Sequence, residues 1–325
     1  MENEYNPWAM FHSTDMGDNL EEVVETEECK VLRLRDESGD GLMTIYRVFD
    51  GVYLMYNDFH MARCTSRFAS AARMFCVDHC REGRIEQSTG QGKRYYIGAG
   101  DMRIDRRVHH SGRVDFPVSH YHGLTIGFFL DEAETAVRNA MPAIAVDISA
   151  LAEKFCGSDG VYILRQNSSI EHIFSELYNV PARIRMDYFR IKVMELLVFL
   201  GALELSDYRD ERPYFYSGQI EKIKAAHQLM TENLAVNYTA EALAREVDIS
   251  VGMLKTGFKG VYGMPLYSYI RSHKMNVAAS MLVTDRRKRI IEIAAGVGYD
   301  NPSKFAAAFK GVFGTTPARY RSDRR

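Results

Sequence analysis

The 325-residue chain is 46% apolar and 26% charged, a balance that excludes a disordered chain and suffices for about two domains. Its longest apolar runs, such as Met194–Leu203 and Leu124–Leu130, fall far short of the ~20 residues that cross a bilayer, and the opening Met-Glu-Asn-Glu has neither the basic nor the apolar region of a secretory signal. Five scattered cysteines argue against a disulfide framework, so a cytoplasmic protein with reduced thiols and no membrane contact is expected.

The net charge of −2 hides a division. Ser217–Arg325 holds 17 Lys and Arg against 9 Asp and Glu, a balance of +8, which leaves −10 for Met1–Tyr216. Such asymmetry points to a polyanionic partner for the basic part.

From about Cys29 to Leu130, short alternating or β-branched and aromatic runs are punctuated by Gly and Asp. Examples are Leu42–Phe49, Val52–Tyr56, Tyr95–Ile97, Met102–Val108 and Leu124–Phe129. The pattern predicts an antiparallel β-barrel or sandwich over about 29–130. Helical period takes over across about 148–205. Ile170, Ile173, Phe174 and Leu177 follow i, i+3, i+4, i+7, and Tyr188–Leu203 reads as a second helix. Its stripe of Ile191, Met194, Leu197 and Val198 is either a dimer surface or a face packed on its own barrel. Residues 206–217 are charged, carry a Pro and lack apolar period, as a linker would; 1–205 then precedes it as one region and 218–325 follows as another.

Three His/Cys clusters raise a metal hypothesis: Cys76-Val-Asp-His79-Cys80, His109-His110 and His120-Tyr121-His122. None has a standard zinc spacing, so neither metal nor cofactor is expected. There is no Gly-x-Ser-x-Gly elbow and no phosphate-cradling loop, so the chain does not read as an enzyme. Of the 37 aromatic residues, 27 lie before Ser217. They either fill two cores or line an effector pocket, for which Tyr95, His120, Tyr121 and His122 are the candidates.

The basic region contains an internal repeat. Phe258-Lys-Gly-Val-Tyr-Gly263 recurs as Phe309-Lys-Gly-Val-Phe-Gly314 at an offset of 51, whereas Leu243-Ala244 and Val247 recur as Ile293-Ala294 and Val297 at an offset of 50. One residue is therefore inserted in the second turn. Each copy has the layout of a helix-turn-helix: Thr239 caps a first helix, Ser250 a second, and in the repeat Asn301 caps a helix with Pro302 at its first position. In the second helices Leu254, Phe258 and Val261, and likewise Phe305, Phe309 and Val312, form an inward stripe. Gly252, Lys255, Thr256 and Lys259 fall opposite in the first copy, and Ser303, Ala306, Ala307 and Lys310 in the second. A short helix with an apolar back and a small, basic front fits a B-DNA major groove. Leu266–Val283 reads as a continuous connector helix with Arg271 and Lys274 exposed. Gly252, Gly257 and Gly260 each cost about 1 kcal/mol relative to Ala in a helix interior, which predicts a marginal first unit that firms up on DNA.

Tyr238–Arg325 resembles the AraC/XylS-type transcription regulators. The resemblance is carried by Leu243-Ala-Arg-Glu-Val, Ser250, Leu254, Phe258-Lys259, Tyr269-Ile-Arg271 and Lys274-Met275, then Ile293-Ala294, Val297-Gly298-Tyr299, Ser303, Phe305, Phe309-Lys310, Phe313-Gly314 and Thr316-Pro317 with Tyr320-Arg321. It implies an α+β multidomain protein, with an N-terminal cupin-like β-barrel plus helical subdomain for effector sensing and dimerisation, and a C-terminal all-α double helix-turn-helix. Groove-facing positions carried over are Gly252, Lys255, Thr256, Pro302, Ser303, Lys304 and Ala307. Base readout is expected to lean on Lys255, Thr256, Ser303 and Lys304, with Lys259, Lys310 and Arg321 on phosphates. Asp248 stands where the family favours Gly. The implied function is a ligand-responsive activator that binds promoter DNA, contacts RNA polymerase and forms a homodimer, with an unidentified small-molecule effector. Two alternatives stay open: a DNA-binding regulator whose N-terminal region only oligomerises, and a metal-binding cupin enzyme fused to a DNA-binding domain.

Overall fold

The computed structural model describes residues 8, 20–69, 72–88, 93–107, 109–157, 160–205 and 215–324. Most of the expected linker, 206–214, lies outside them, as does Val108. The described residues form two compact units, one of residues 8–88 and 95–205 and the other of residues 93–94 and 215–324.

The first unit is built on one antiparallel sheet. Its strands are β1 (Leu20–Glu25), β2 (Cys29–Asp36), β3 (Gly39–Phe49), β4 (Val52–His60), β5 (Arg63–Ala69), β6 (Met74–Ser88), β7 (Lys93–Gly98), β8 (Met102–Asp105), β9 (His109–Asp115), β10 (Tyr121–Phe129) and β11 (Val161–Leu164). They run in the order β1-β2-β3-β4-β10-β6-β7, with β8–β11 and β9–β5 branching from the long β6. A two-residue Asp50-Gly51 turn joins β3 to β4, and Gly51 supplies the positive φ of +71° that such a hairpin demands. The sheet therefore starts earlier than residue 29, and β11 interrupts the stretch read as helical. Val161-Tyr-Ile-Leu164 is a four-residue apolar run whose length cannot separate strand from helix by period; pairing with β8 decides it.

Four helices, α1 (Leu130–Ala140), α2 (Ile148–Cys156), α3 (Ser168–Leu177) and α4 (Arg185–Ala202), cover one face of the sheet. Leu54, Phe75, Val77, Leu124, Ile126 and Phe128 meet Phe155, Phe174, Phe189, Leu196 and Leu197 in that core. The stripe read on α4 divides: Met194 and Leu197 are buried, while Ile191 and Val198 are 56% and 47% exposed. At 100° per residue those pairs point different ways.

The other face closes around a cavity of about 140 Å³ to which all of β1 through β10 contribute. Its walls are mostly apolar, but Asp78, Arg103 and Arg107 reach it. Arg103 donates to Asp78 from Nε at 2.9 Å and Nη2 at 2.5 Å, Arg107 donates from Nη2 at 2.5 Å, and Thr125 Oγ1 donates at 2.6 Å. Asp105 faces both guanidinium groups at 3.1–3.2 Å. Burial pushes the Asp78 carboxyl up, but Arg103 and Arg107 outweigh it and hold the group well below the usual carboxylate range. Of the four pocket candidates only Tyr121 lines this cavity. Tyr95 is buried outside its wall, His120 is 30% exposed beside His60, and His122 turns to Tyr178. Strand alternation puts Tyr121 and His122 on opposite faces.

All five cysteines are free thiols, and no helix among the described residues is long and apolar enough to cross a membrane.

Asp78→Ala leaves two buried guanidinium groups without their main counter-ion and is expected to cost about 3–5 kcal/mol, read as a lower urea midpoint for the first unit.

Candidate nucleic-acid interface

The second unit is all helix: α5 (Ser217–Glu232), α6 (Ala240–Glu246), α7 (Val251–Tyr262), α8 (Leu266–Thr284), α9 (Ile290–Gly296), α10 (Pro302–Phe313) and α11 (Pro317–Ser322). The repeat in sequence is a repeat in space. α6–α7 and α9–α10 are two helix pairs with matching ends. Ser250 Oγ accepts from Met253 N at 3.1 Å, and Asn301 Oδ1 accepts from Ser303 N at 2.9 Å and Lys304 N at 3.1 Å. α7 and α10 both stop at a left-handed glycine, Gly263 and Gly314, whose N–H donates at 2.8 Å to Lys259 and Lys310 oxygens.

The turns correspond too. Ile249 N donates to Ala244 O, and Tyr299 N to Ala294 O, both at 2.9 Å. The left-handed residue is Asp248 (φ +53°) in the first and Gly298 (φ +79°) in the second. A side chain at this φ is strained. Asp248 gains a partner there, since Lys222 Nζ donates to its carboxylate at 2.9 Å and to its carbonyl at 2.7 Å. Asp300 is the inserted residue that lengthens the second turn.

Behind each second helix sits the same aromatic arrangement. Phe258 lies 4.5 Å from Tyr262 and 5.4 Å from Tyr269, and those two are 5.2 Å apart. In the second pair Phe309 lies 4.7 Å from Phe313 and 5.3 Å from Tyr320, with 5.1 Å between them. Leu254, Phe258, Val261, Phe305 and Phe309 are buried. Val312 departs from the expected stripe and is 37% exposed, because Phe313 and Tyr320 of the short α11 close that corner instead.

Opposite these cores, Gly252, Lys255, Thr256 and Lys259 of α7 and Pro302, Ser303, Lys304, Ala307 and Lys310 of α10 are all exposed; Ala306 is half-buried. Among the described residues the four lysines form no ion pair, whereas neighbouring Lys288 and Arg289 are tied to Asp285 and Glu292. Arg321 differs from the other candidates: it is half-buried, with Nε and Nη2 unpaired.

Two features lay beyond a reading of the sequence. The connector α8 was expected to expose Lys274; instead it is 4% exposed. Its Nζ donates to Asn237 Oδ1 at 2.7 Å, and Asn237 Nδ2 donates to Gly298 O at 2.9 Å. This chain of bonds pins the second turn to the connector and to the loop before α6. A Cβ at Gly298 would stand 2.7 Å from Lys274 Nζ and 2.6 Å from Leu234 O, so the position requires glycine for space as well as for φ. Beside it a cleft of about 440 Å³ is lined by Arg271, Lys274 and Lys304. The second feature concerns the glycines of α7. A Cβ at Gly257 would lie 2.2 Å from Ile223, and one at Gly260 2.3 Å from Phe215. These two are the contact surface through which α5 and Phe215 approach α7; at Gly252 an added Cβ would meet only Ser250 Oγ, at 4.0 Å.

The profile of a helix-turn-helix domain matches residues 243–323. The F1 operon positive regulatory protein of Yersinia pestis is 36% identical over 102 residues, covering 28% of this chain and 34% of that protein; the chain thus spans about a third of that relative's length. The probable transcriptional regulator LumQ of Photobacterium leiognathi is 25% identical over 235 residues, covering 59% of this chain and 93% of that protein. Among solved structures, the C-terminal domain of AraT, a response regulator from Geobacillus stearothermophilus, is 29% identical, covers 32% of this chain and 85% of that one, and has a TM-score of 0.31.

Gly260→Ala gains helix propensity yet must displace the Phe215 ring, so its thermal midpoint is expected to fall; a rise would show that the ring moves freely. Burial, with His273 beside it, pushes the His227 imidazole down to about 4. The unfolded chain then binds the extra proton below about pH 6.5. Stability of the second unit should fall as pH drops from about 6.5 towards 4, and His227→Gln should flatten that part of the profile.

Proposed function

Residues 243–323 being an AraC-type helix-turn-helix domain of the kind found in DNA-binding transcription regulators, we propose that the chain is a sequence-specific regulator that inserts α7 and α10 into successive major grooves of promoter DNA. The observation that carries this is the duplicated geometry: two helices of 12 residues with the same caps and aromatic backing, each turning a small, basic face outward. Helices serving adjacent windings must stand about 34 Å apart, and α8 with its Lys274 pin is the spacer. Lys255, Thr256, Ser303 and Lys304 read base edges. Lys259 and Lys310 hold phosphates, and Arg321 joins them once its buried Nε and Nη2 turn outward. The capped starts of α7 and α10 favour phosphate oxygens as well.

In the same reading the N-terminal region is the cupin-like sensing part. A cavity of about 140 Å³ suits a benzene-sized effector, recognised through the Asp78–Arg103–Arg107 cluster. Ile184, Ile191 and Val198, all exposed on or just before α4, support a homodimer. Activation through contact with RNA polymerase follows the family resemblance, and the Yersinia relative's name states a positive regulatory role.

Fluorescence anisotropy on promoter fragments tests this reading. Lys255→Ala or Ser303→Ala should relax base preference by about 1–3 kcal/mol at the contacted positions. Lys259→Ala or Lys310→Ala should weaken all sequences alike and lower the salt slope by about 1. A footprint confined to a single winding, or none on any promoter fragment, overturns the proposal.

A further inference from the structure

The ends of three strands in the first unit gather side chains that no linear spacing connects. His122 of β10 stands in register with Asp58 of β4 on one side and Glu82 of β6 on the other. The next rung pairs Tyr121 with Phe59 and Gly83. Alternation sends Phe59 and Tyr121 into the cavity wall and turns Asp58, His60 and Glu82 to the opposite face. There the ligand atoms of Asp58, His60 and His120 all lie within 4.8 Å of one another. His60 Nε2 is 3.1 Å from Asp58 Oδ1, the His60 and His120 rings are 4.9 Å apart, and His120 Nε2 is 3.8 Å from Glu82 Oε2.

The backbone holds this arrangement. A β-bulge interrupts the pairing of β10 with β6 between His122 and Gly123, and bulges re-aim side chains at strand ends. Gly83 has φ +82°, and a Cβ there would lie 2.1 Å from the His120 carbonyl oxygen. Only glycine lets β6 approach His120 so closely. The set is open to solvent, with side-chain exposures of 50% for Asp58, 63% for His60 and 30% for His120, so an ion can enter. Ligand atoms around one tetrahedral ion stand about 3.3 Å apart, a closure that small rotations of three exposed side chains supply.

We propose that Asp58, His60 and His120 bind a divalent transition-metal ion of the zinc class, with Glu82 as the fourth ligand. Two imidazole nitrogens and two carboxylate oxygens suit Zn²⁺ over the hard cations Mg²⁺ and Ca²⁺, which take all-oxygen shells. Glu82 is the weakest of the four, because Arg81 Nε also faces it at 3.7 Å. His122 turns edge-on to Tyr178 and stays outside the set. Bound there, the ion ties the ends of β4, β6 and β10 behind the wall of the cavity. The site is independent of the DNA-binding reading and is tested without DNA.

Calorimetric titration of the chelator-stripped full chain with ZnCl₂ should give one equivalent bound, and Co²⁺ should give the visible bands of a four-coordinate site. His60→Ala and His120→Ala should each weaken Zn²⁺ binding about tenfold or more, and Glu82→Gln less. His172→Ala, on α3, should leave it unchanged. Circular dichroism confirms that each variant is folded. Absence of Zn²⁺ binding to the wild-type chain, or one equivalent retained by the double variant His60→Ala/His120→Ala, overturns the proposal.

Discussion

Phe258 and Phe309 must be taken out of water, and each is fully buried at the same point of a repeated helix pair. Burying a phenylalanine contributes about 1.5–3 kcal/mol, more than a single exposed lysine or serine can oppose. Once that ring faces inward, 100° per residue decides the rest. Lys255, Thr256 and Lys259 must point away from it, as must Ser303, Ala307 and Lys310. Tyr262 and Tyr269 against the first ring, and Phe313 and Tyr320 against the second, bring the following helix into place. A basic outer face is thus a by-product of apolar packing, set twice over by the same few residues.

What could be read from the chain alone was what is local. Thr239, Ser250 and Asn301 cap their helices through bonds to residues two or three positions on, and such bonds leave a signature in a short window. The connector helix and the inward stripes follow from period. Lys274 escaped because its position on the helix looks exposed; only Asn237, 37 residues away in sequence, makes its burial acceptable. β11 escaped because four apolar residues carry no period. The division of the α4 stripe, with Ile191 outside and Met194 inside, depends on which side the sheet lies. Asp58 and His60 lie on β4, Glu82 on β6 and His120 just before β10, so no spacing rule for metal ligands could gather them.

Propensity and packing pull in opposite directions on α7. Counted as helix residues, Gly257 and Gly260 are costs; counted as surface, they are the reason α5 can lie so near. α10, whose Gly311 has nothing within 4 Å of an added Cβ, has no such close partner at that point. α7 and α10 therefore share a sequence motif and differ in how firmly they are seated. The strained Asp248 adds to that difference, since Lys222 steadies a turn that glycine makes without strain in the second pair.

The alternation along β4 and β10 constrains how this region can drift in evolution. Phe59 and Tyr121 face inward, while Asp58, His60 and His122 face the other way, on strands in register. A single-residue insertion or deletion in either strand would exchange the two sets, placing imidazoles in the apolar interior and aromatic rings outside. Change here must proceed by substitution, or by length changes of two residues at a time, so the lining of the interior and the polar exterior of these strands are inherited together.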